Sequence, residues 1–308
     1  MALFYAKYLV AFVFISSVLY VHLRGRVRFR LVRHLFNHSS LLAPYNALMY
    51  LFSAVPAKPL LSDRYLPELA GLSHSWTVMR DEALNLYDEG YIRGALDNND
   101  IGFNSFFKRG WKRFYLKWYD QPLASAEALC PNTVALLRDI PSVKGAMFAL
   151  LSPKSNLNPH RDPFAGSLRY HLGLVTANSD QCWISVDGER YWWKDGESVI
   201  FDETYIHSVE NNTDVTRIIL LCDVERPLRL SVMQALNRWV SRRIVTASAT
   251  QNVADEPVGA LNRFYGRVYH PIAAHLNGAA RRLKQRNRAL YRTLQYGFVL
   301  GIAYLIFL

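Results

Sequence analysis

Between Gly145 and Val224 the chain is written in short apolar runs separated by turn residues, and this pattern limits the fold more than any other feature. The runs are Met147–Leu151, Leu168–Thr176, Gln181–Val186, Glu189–Lys194, Ser198–Phe201 and Thr216–Val224. Each has strand length. Asp187-Gly188 joins two of them as a tight hairpin, because both residues tolerate positive φ, and Asp195-Gly196 marks the next turn. No helix-length apolar period interrupts the series, which argues against a doubly wound sheet. The fold class expected is mainly β: a double-stranded β-helix, or jelly roll, with flanking helices.

Within this region lies Asn158-Pro159-His160-Arg161-Asp162-Pro163, with His207 further on. In extended chain, residues i and i+2 project to one side, so His160 and Asp162 can reach one metal while Arg161 points away. With His207 from a later strand they form a two-histidine, one-carboxylate set, which suits Fe(II) and leaves one face open for a co-substrate and O2. His-Arg-Asp also occurs in kinase catalytic loops, but a kinase needs an Asn at position 167, where Ser stands, together with a glycine-rich loop and an Asp-Phe-Gly, both absent.

Arg217 opens the otherwise apolar run Ile218-Ile219-Leu220-Leu221. A guanidinium entering a buried strand needs an anion, and its fork suits a carboxylate such as the distal one of 2-oxoglutarate. Arg169 and His171 alternate with Leu168, Tyr170 and Leu172, so both polar side chains share a strand face and can point into the barrel. The competing reading pairs Arg217 with an internal Asp or Glu and makes His171 a satisfied core histidine.

The ends read as membrane attachments. Ala2–Leu23 is almost wholly apolar and long enough to cross a bilayer, with Lys7 and His22 near its ends. Arg24, Arg26, Arg28, Arg30 and Arg33 follow it, which places this side in the cytoplasm by the positive-inside rule. A cleaved signal peptide fits less well, because the segment lacks a basic start and a small-x-small cleavage site. Tyr291–Leu308 is a second apolar segment, anchored by the basic stretch 281–288 or lying in the interface. The formal charge of +11 is concentrated in these flanks, so it points to membrane topology and no nucleic acid. Cys130, Cys182 and Cys222 have no metal spacing or paired framework, which suits a reducing compartment and leaves the sequons at Asn37 and Asn211 as chance matches.

Residues 39–62 read as a connector on or near the membrane, and Pro67–Tyr91 has helical character. Ile101–Tyr119 interleaves aromatics with Lys108, Arg109, Lys112, Arg113 and Lys117. It reads either as a strand pair with solvated bases or as a surface for phosphate-bearing headgroups, with Lys108, Arg109, Lys112 and Arg113 as the candidates. From Val232 to Ile244 apolar residues recur at helical spacing, for packing on the jelly roll or on a membrane surface. The expected organisation is a transmembrane helix at 1–23, a basic connector at 24–62, a helical and basic-aromatic region at 63–145, the oxygenase core at 146–227, amphipathic and basic helices at 228–290 and a C-terminal membrane helix at 291–308.

The stretch Met147–Pro227 resembles the aspartyl/asparaginyl β-hydroxylase family of iron- and 2-oxoglutarate-dependent oxygenases, and most of all its bacterial lipid A hydroxylase branch. The matching motifs are N-P-H-R-D-P-F-A-G-S-L-R-Y-H-L-G-L at 158–174, D-G-E-S-V-I-F-D-E-T-Y-I-H-S-V-E-N at 195–211 and R-I-I-L-L-C-D-V at 217–224. The G-W-K-R-F-Y-L-K-W-Y run at 110–119 and the apolar ends also resemble that branch. The resemblance implies Fe(II) on His160, Asp162 and His207, with 2-oxoglutarate held by Arg169, His171 and Arg217. It implies a membrane enzyme at the cytoplasmic face of a bacterial inner membrane that hydroxylates the 2-position of a lipid A acyl chain with O2. The partners implied are the lipid A precursor and the bilayer, with no protein partner. Ala149 stands where some relatives carry a co-substrate-contacting serine. Peptide hydroxylases of the family can lack the ligand carboxylate, so Asp162 leans toward the lipid branch. The rival readings are an oxygenase of ornithine lipid or of peptidyl Asp/Asn, and a membrane-bound jelly roll that binds lipid or metal without turnover.

Overall fold

The computed structural model describes residues 2–31, 38–95, 100–119, 123–294 and 297. Arg33, Asn37 and most of the expected C-terminal membrane segment at 291–308 lie outside them. Ten strands form two antiparallel sheets among the described residues: β1 (Leu60–Leu61), β2 (Trp111–Trp118), β3 (Val143–Leu151), β4 (Ser155–His160), β5 (Ser167–Val175), β6 (Cys182–Val186), β7 (Glu189–Trp192), β8 (Ser198–Phe201), β9 (His207–Asn211) and β10 (Arg217–Glu225). The larger sheet has the order β1-β8-β5-β10-β3-β2 and the smaller β4-β9-β6-β7. Consecutive strands alternate between the sheets over much of this stretch, so the sheets face each other as the two halves of a jelly roll.

The centre of the larger sheet is apolar throughout. Phe148, Leu150, Leu172, Leu220 and Cys222 are wholly buried or nearly so, as fits strands covered on both faces. The helix Trp76–Asp88 packs on β5 through Met79, Ala83 and Leu86, spaced to share one face. Its buried Glu82 accepts from the backbone N–H groups of Asn132 and Thr133, compensating the first turn of the helix Pro131–Arg138.

Two strands escape the apolar pattern. β4 reads Ser-Asn-Leu-Asn-Pro-His and β9 His-Ser-Val-Glu-Asn, so neither carries an apolar run, yet they pair with one another. The basic-aromatic segment holds one strand, β2, preceded by the helical turn Asn104–Phe107, rather than a strand pair. The connector contributes β1 to the edge of the larger sheet, next to β8.

The helix Ala2–Leu23 is the one helix among the described residues long and apolar enough to cross a membrane, with a mean hydropathy of 1.7 over Ala6–Leu23. Its last turns do not stand free. Val18 and Val21 are buried with Ala43 of the helix Ala43–Leu51, and Arg161 donates to the carbonyl of Val21 at 3.2 Å. Arg24, just beyond, forms a buried pair with Asp202 at 2.6 Å and lies over the rings of Tyr50 and Tyr205. The helix Ser231–Val240 turns Asn237 and Val240 inward and leaves Val232 and Trp239 exposed.

Candidate metal centre and co-substrate cavity

The antiparallel pairing of β4 with β9 sets His160 opposite His207, with ring centroids 4.2 Å apart. Asp162 follows β4, and the ligand atoms of the three side chains lie within 4.8 Å of one another. Both imidazoles are oriented by their own backbone. Nδ1–H of His160 donates to the carbonyl of Asn158 at 2.7 Å, and Nδ1–H of His207 to that of Tyr205 at 3.0 Å. These bonds leave the Nε2 lone pairs for a metal, as in ordinary imidazole ligation. Burial and the neighbouring His160 lower His207 to about 3, so it is a neutral ring at physiological pH. Burial opposes ionisation of Asp162, but the guanidinium of Arg169 outweighs it and holds its carboxyl below the usual range. Two imidazole nitrogens and one carboxylate on one side of a cavity fit a divalent iron.

Arg169 is paired with carboxylates of the protein itself. Its Nη2 donates to Asp162 at 2.6 Å, its guanidinium also bonds Glu203, and its Nε lies 3.3 Å from Asp223. With three carboxylates around it, this guanidinium is engaged by the protein and lies against Asp162, while lining the same cavity as His171 and Arg217. Burial, reinforced by the nearby carboxylates, pushes both Glu203 and Asp223 above their ordinary values. A protonated carboxyl in this cluster keeps the buried charge near balance.

Arg217 is the opposite case. It is 2 % exposed, lies 4.4 Å over the ring of Trp193, and has no ion pair among the described residues. Its Nε has no hydrogen-bond partner, and burial pushes its guanidinium down to about 10. The Nδ1 of buried His171 is also unpartnered, and burial with Arg169 and Arg217 keeps that ring neutral. Among the described residues no carboxylate pairs with Arg217, and the Nδ1 of His171 has no hydrogen-bond partner, which is unlike the competing reading of both residues. Trp193, wholly buried with an unpartnered Nε1, completes this end of the site and has no sequence signal beyond its apolar company. A buried cation with polar neighbours lacking partners fits a carboxylate such as that of 2-oxoglutarate. Ala149 pairs with Ile219 of the cavity wall, so a methyl group occupies that position.

One cavity unites His160, Asp162, His207, His171 and Arg217. Part of its lining is aromatic: Phe106 lies 4.7 Å from the His160 ring, and Phe103 stacks on Trp111 at 4.6 Å. Lys108, Arg109 and Lys112, in the same segment as Phe106 and Trp111, are exposed, and Arg109 donates to Asn156 of β4. Arg113 is not a surface residue. It is 1 % exposed and paired with the buried Asp100 at 3.1 Å, so it is struck from the headgroup candidates.

Residues 73–227, half of the chain, match the profile described as aspartyl/asparaginyl beta-hydroxylase. The chain is 38 % identical over 120 residues to an ornithine lipid ester-linked acyl 2-hydroxylase of Rhizobium tropici, covering 39 % of this chain and 43 % of that protein. It is 27 % identical over 187 residues to the aspartyl/asparaginyl beta-hydroxylase of Mus musculus, covering 58 % of this chain and 25 % of that one. It thus spans less than half the length of these curated relatives. Among solved structures, a Pseudomonas putida prolyl-4-hydroxylase aligns with a TM-score of 0.33 and 17 % identity, over 50 % of this chain and 87 % of that one, too distant to bear on the chemistry. The profile match spans every strand that lines the cavity, and the chain belongs to the aspartyl/asparaginyl β-hydroxylase family.

Proposed function

We propose that this chain is an Fe(II)- and 2-oxoglutarate-dependent oxygenase that hydroxylates the 2-position of a lipid acyl chain, in the first instance a lipid A precursor at the cytoplasmic face of a bacterial inner membrane. The observation that carries the reading is the buried Arg217, without an ion pair among the described residues, in the same cavity as the His160, Asp162 and His207 cluster. Iron bound there, with 2-oxoglutarate and O2, supplies the oxidation of a C–H bond to C–OH, with release of succinate and CO2. The chain's own residues supply the rest. Arg217 grips the far carboxylate of the co-substrate, Trp193 fixes the plane of that guanidinium, and neutral His171 contributes one hydrogen bond. Arg169 and Glu203 hold Asp162 in position. Phe103, Phe106 and Trp111 exclude water and present an apolar wall to an alkyl chain.

An acyl chain rarely leaves its bilayer, so the enzyme must meet it there. The helix Ala2–Leu23 serves as the anchor, and the exposed Lys108, Arg109 and Lys112 take the phosphate charge of the headgroup. The Rhizobium tropici relative supports a second reading, in which the acyl chain belongs to an ornithine lipid.

Mass spectrometry of lipids from cells with and without the protein, and with Asp162→Ala, tests both. One added oxygen on lipid A that needs Asp162 is the expected result. The same gain on ornithine lipid moves the substrate, and no gain on any lipid defeats the lipid reading.

A further inference from the structure

Beyond the oxygenase core the chain carries a helical arm whose chemistry the proposed reaction leaves unused. It starts at Ala260–Phe264, passes through a π-helical turn at Tyr265–Tyr269 and continues as the helix His270–Arg286. The root is firmly built. Asn262 donates to the carbonyls of Ser248 and Ala249 and accepts from the backbone of Ile101. Gly259 sits where a Cβ would meet the carbonyl oxygen of Ala247 at 2.3 Å.

Outward from that root the arm keeps an apolar stripe in the open. Leu261, Phe264, Val268, Ile272 and Leu276 follow one another at steps of three or four residues, and each is between 38 % and 60 % exposed. Such spacing puts them on one side of a helix. In a water-facing helix of a globular domain that side would be covered by the core. The charge of the arm is basic throughout: it holds no Asp or Glu, whereas Arg263, Arg267, Arg281, Arg282, Lys284 and Arg286 lie along it.

We infer that this arm lies in the interface of an anionic bilayer, with the stripe sunk among the acyl chains and the basic residues among headgroup phosphates. An exposed apolar stripe on a helix whose formal charges are all Lys and Arg is the composition of an interfacial helix. Charge decides between the candidate occupants. A second copy of the chain would bring one acid-free basic arm against another, whereas an anionic leaflet neutralises both sides of the contact. The arm thus gives the catalytic body a second attachment to the membrane, which rests on the reading of Ala2–Leu23 as the first.

The test uses the full-length protein in vesicles of phosphatidylcholine with or without phosphatidylglycerol. A fluorophore is placed in turn at Ile272→Cys, Leu276→Cys, Gln285→Cys on the polar side and Val13→Cys in the anchor. The native Cys130, Cys182 and Cys222 are buried and do not compete. Lipid-borne nitroxide is expected to quench the probes at 272 and 276, but not at 285, in the anionic vesicles. Replacing Arg263 and Arg267 with Glu should lower the arm's bound fraction, since each basic residue near an anionic leaflet favours the bound state about fivefold. Probes at 272 and 276 that stay as open to an aqueous quencher as the one at 285 overturn the inference, and so does self-quenching between copies. The probe at 13 separates the two readings: quenched from lipid while 272 is not, the arm fails and the anchor stands; open to water along with 272, the membrane reading itself fails.

Discussion

Arg217 and Arg169 have the same side chain on neighbouring strands and opposite situations. Arg169 is surrounded by carboxylates, whereas Arg217 has none among the described residues. A buried cation with no counter-charge lowers the stability of the ligand-free fold. Arg217→Met should therefore stabilise the metal-free protein by about 1 kcal/mol or more in urea unfolding. The same change should raise the KM for 2-oxoglutarate by about a hundredfold or more, because the co-substrate carboxylate loses its buried partner. A destabilised Met variant would show that Arg217 has a structural partner instead. The histidines give a pH signature. Burial lowers His171, and burial with His160 lowers His207 to about 3, both from 6.5. The unfolded chain takes up protons that the folded chain refuses, so their contribution is whole above about pH 6.5 and is lost as pH falls from there toward 3. The melting temperature of metal-free protein should fall through that window, and His171→Gln should flatten the fall; a pH-independent melting temperature contradicts the buried neutral rings.

At the scale of elements, the docking of the first helix to the ligand strands matters most. Arg161, between two expected ligands, donates to the last turn of Ala2–Leu23, where helix carbonyls lack intrahelical partners. Arg24 reaches Asp202, next to the Glu203 that bonds Arg169 and hence Asp162. The end of the helix is thus linked to the ligand carboxylate through a short run of buried charge. Arg24→Ala should destabilise the fold by no more than about 3 kcal/mol, because Arg226 still pairs with Asp202 at 2.8 Å. Arg161→Ala should weaken iron binding and lower kcat while leaving the KM for 2-oxoglutarate near its starting value. A change confined to that KM would show that Arg161 acts on the co-substrate pocket and not on the metal loop. None of this linkage was legible in the sequence, since Arg24 and Arg161 look like one flank charge and one spacer.

For the molecule as a whole, the exposed basic residues of the basic-aromatic segment and the buried one separate function from stability. Replacing Lys108, Arg109 and Lys112 with Ala should reduce turnover of phosphorylated lipid and leave 2-oxoglutarate binding unchanged. Arg113→Ala should instead cost about 3 to 5 kcal/mol of stability, since it leaves Asp100 buried without its cation. If the triple variant turns over lipid normally, the headgroup lies elsewhere. All four looked alike in the sequence because alternation along a strand predicts faces, and β2 is covered on both of its faces over most of its length.

Local patterns in the chain determined the mainly β class, the apolar runs of the larger sheet, the Asp187-Gly188 hairpin and the candidate ligands His160, Asp162 and His207. These are readable because periodicity, turn chemistry and ligand spacing act over a few residues. Tertiary structure alone decided that the polar segments 155–160 and 207–211 pair as strands, since their register is set by each other and not by an apolar pattern of their own. It alone decided which arginine meets carboxylates and which is left without one, because the charge environment of a buried side chain depends on residues distant in sequence and adjacent in space.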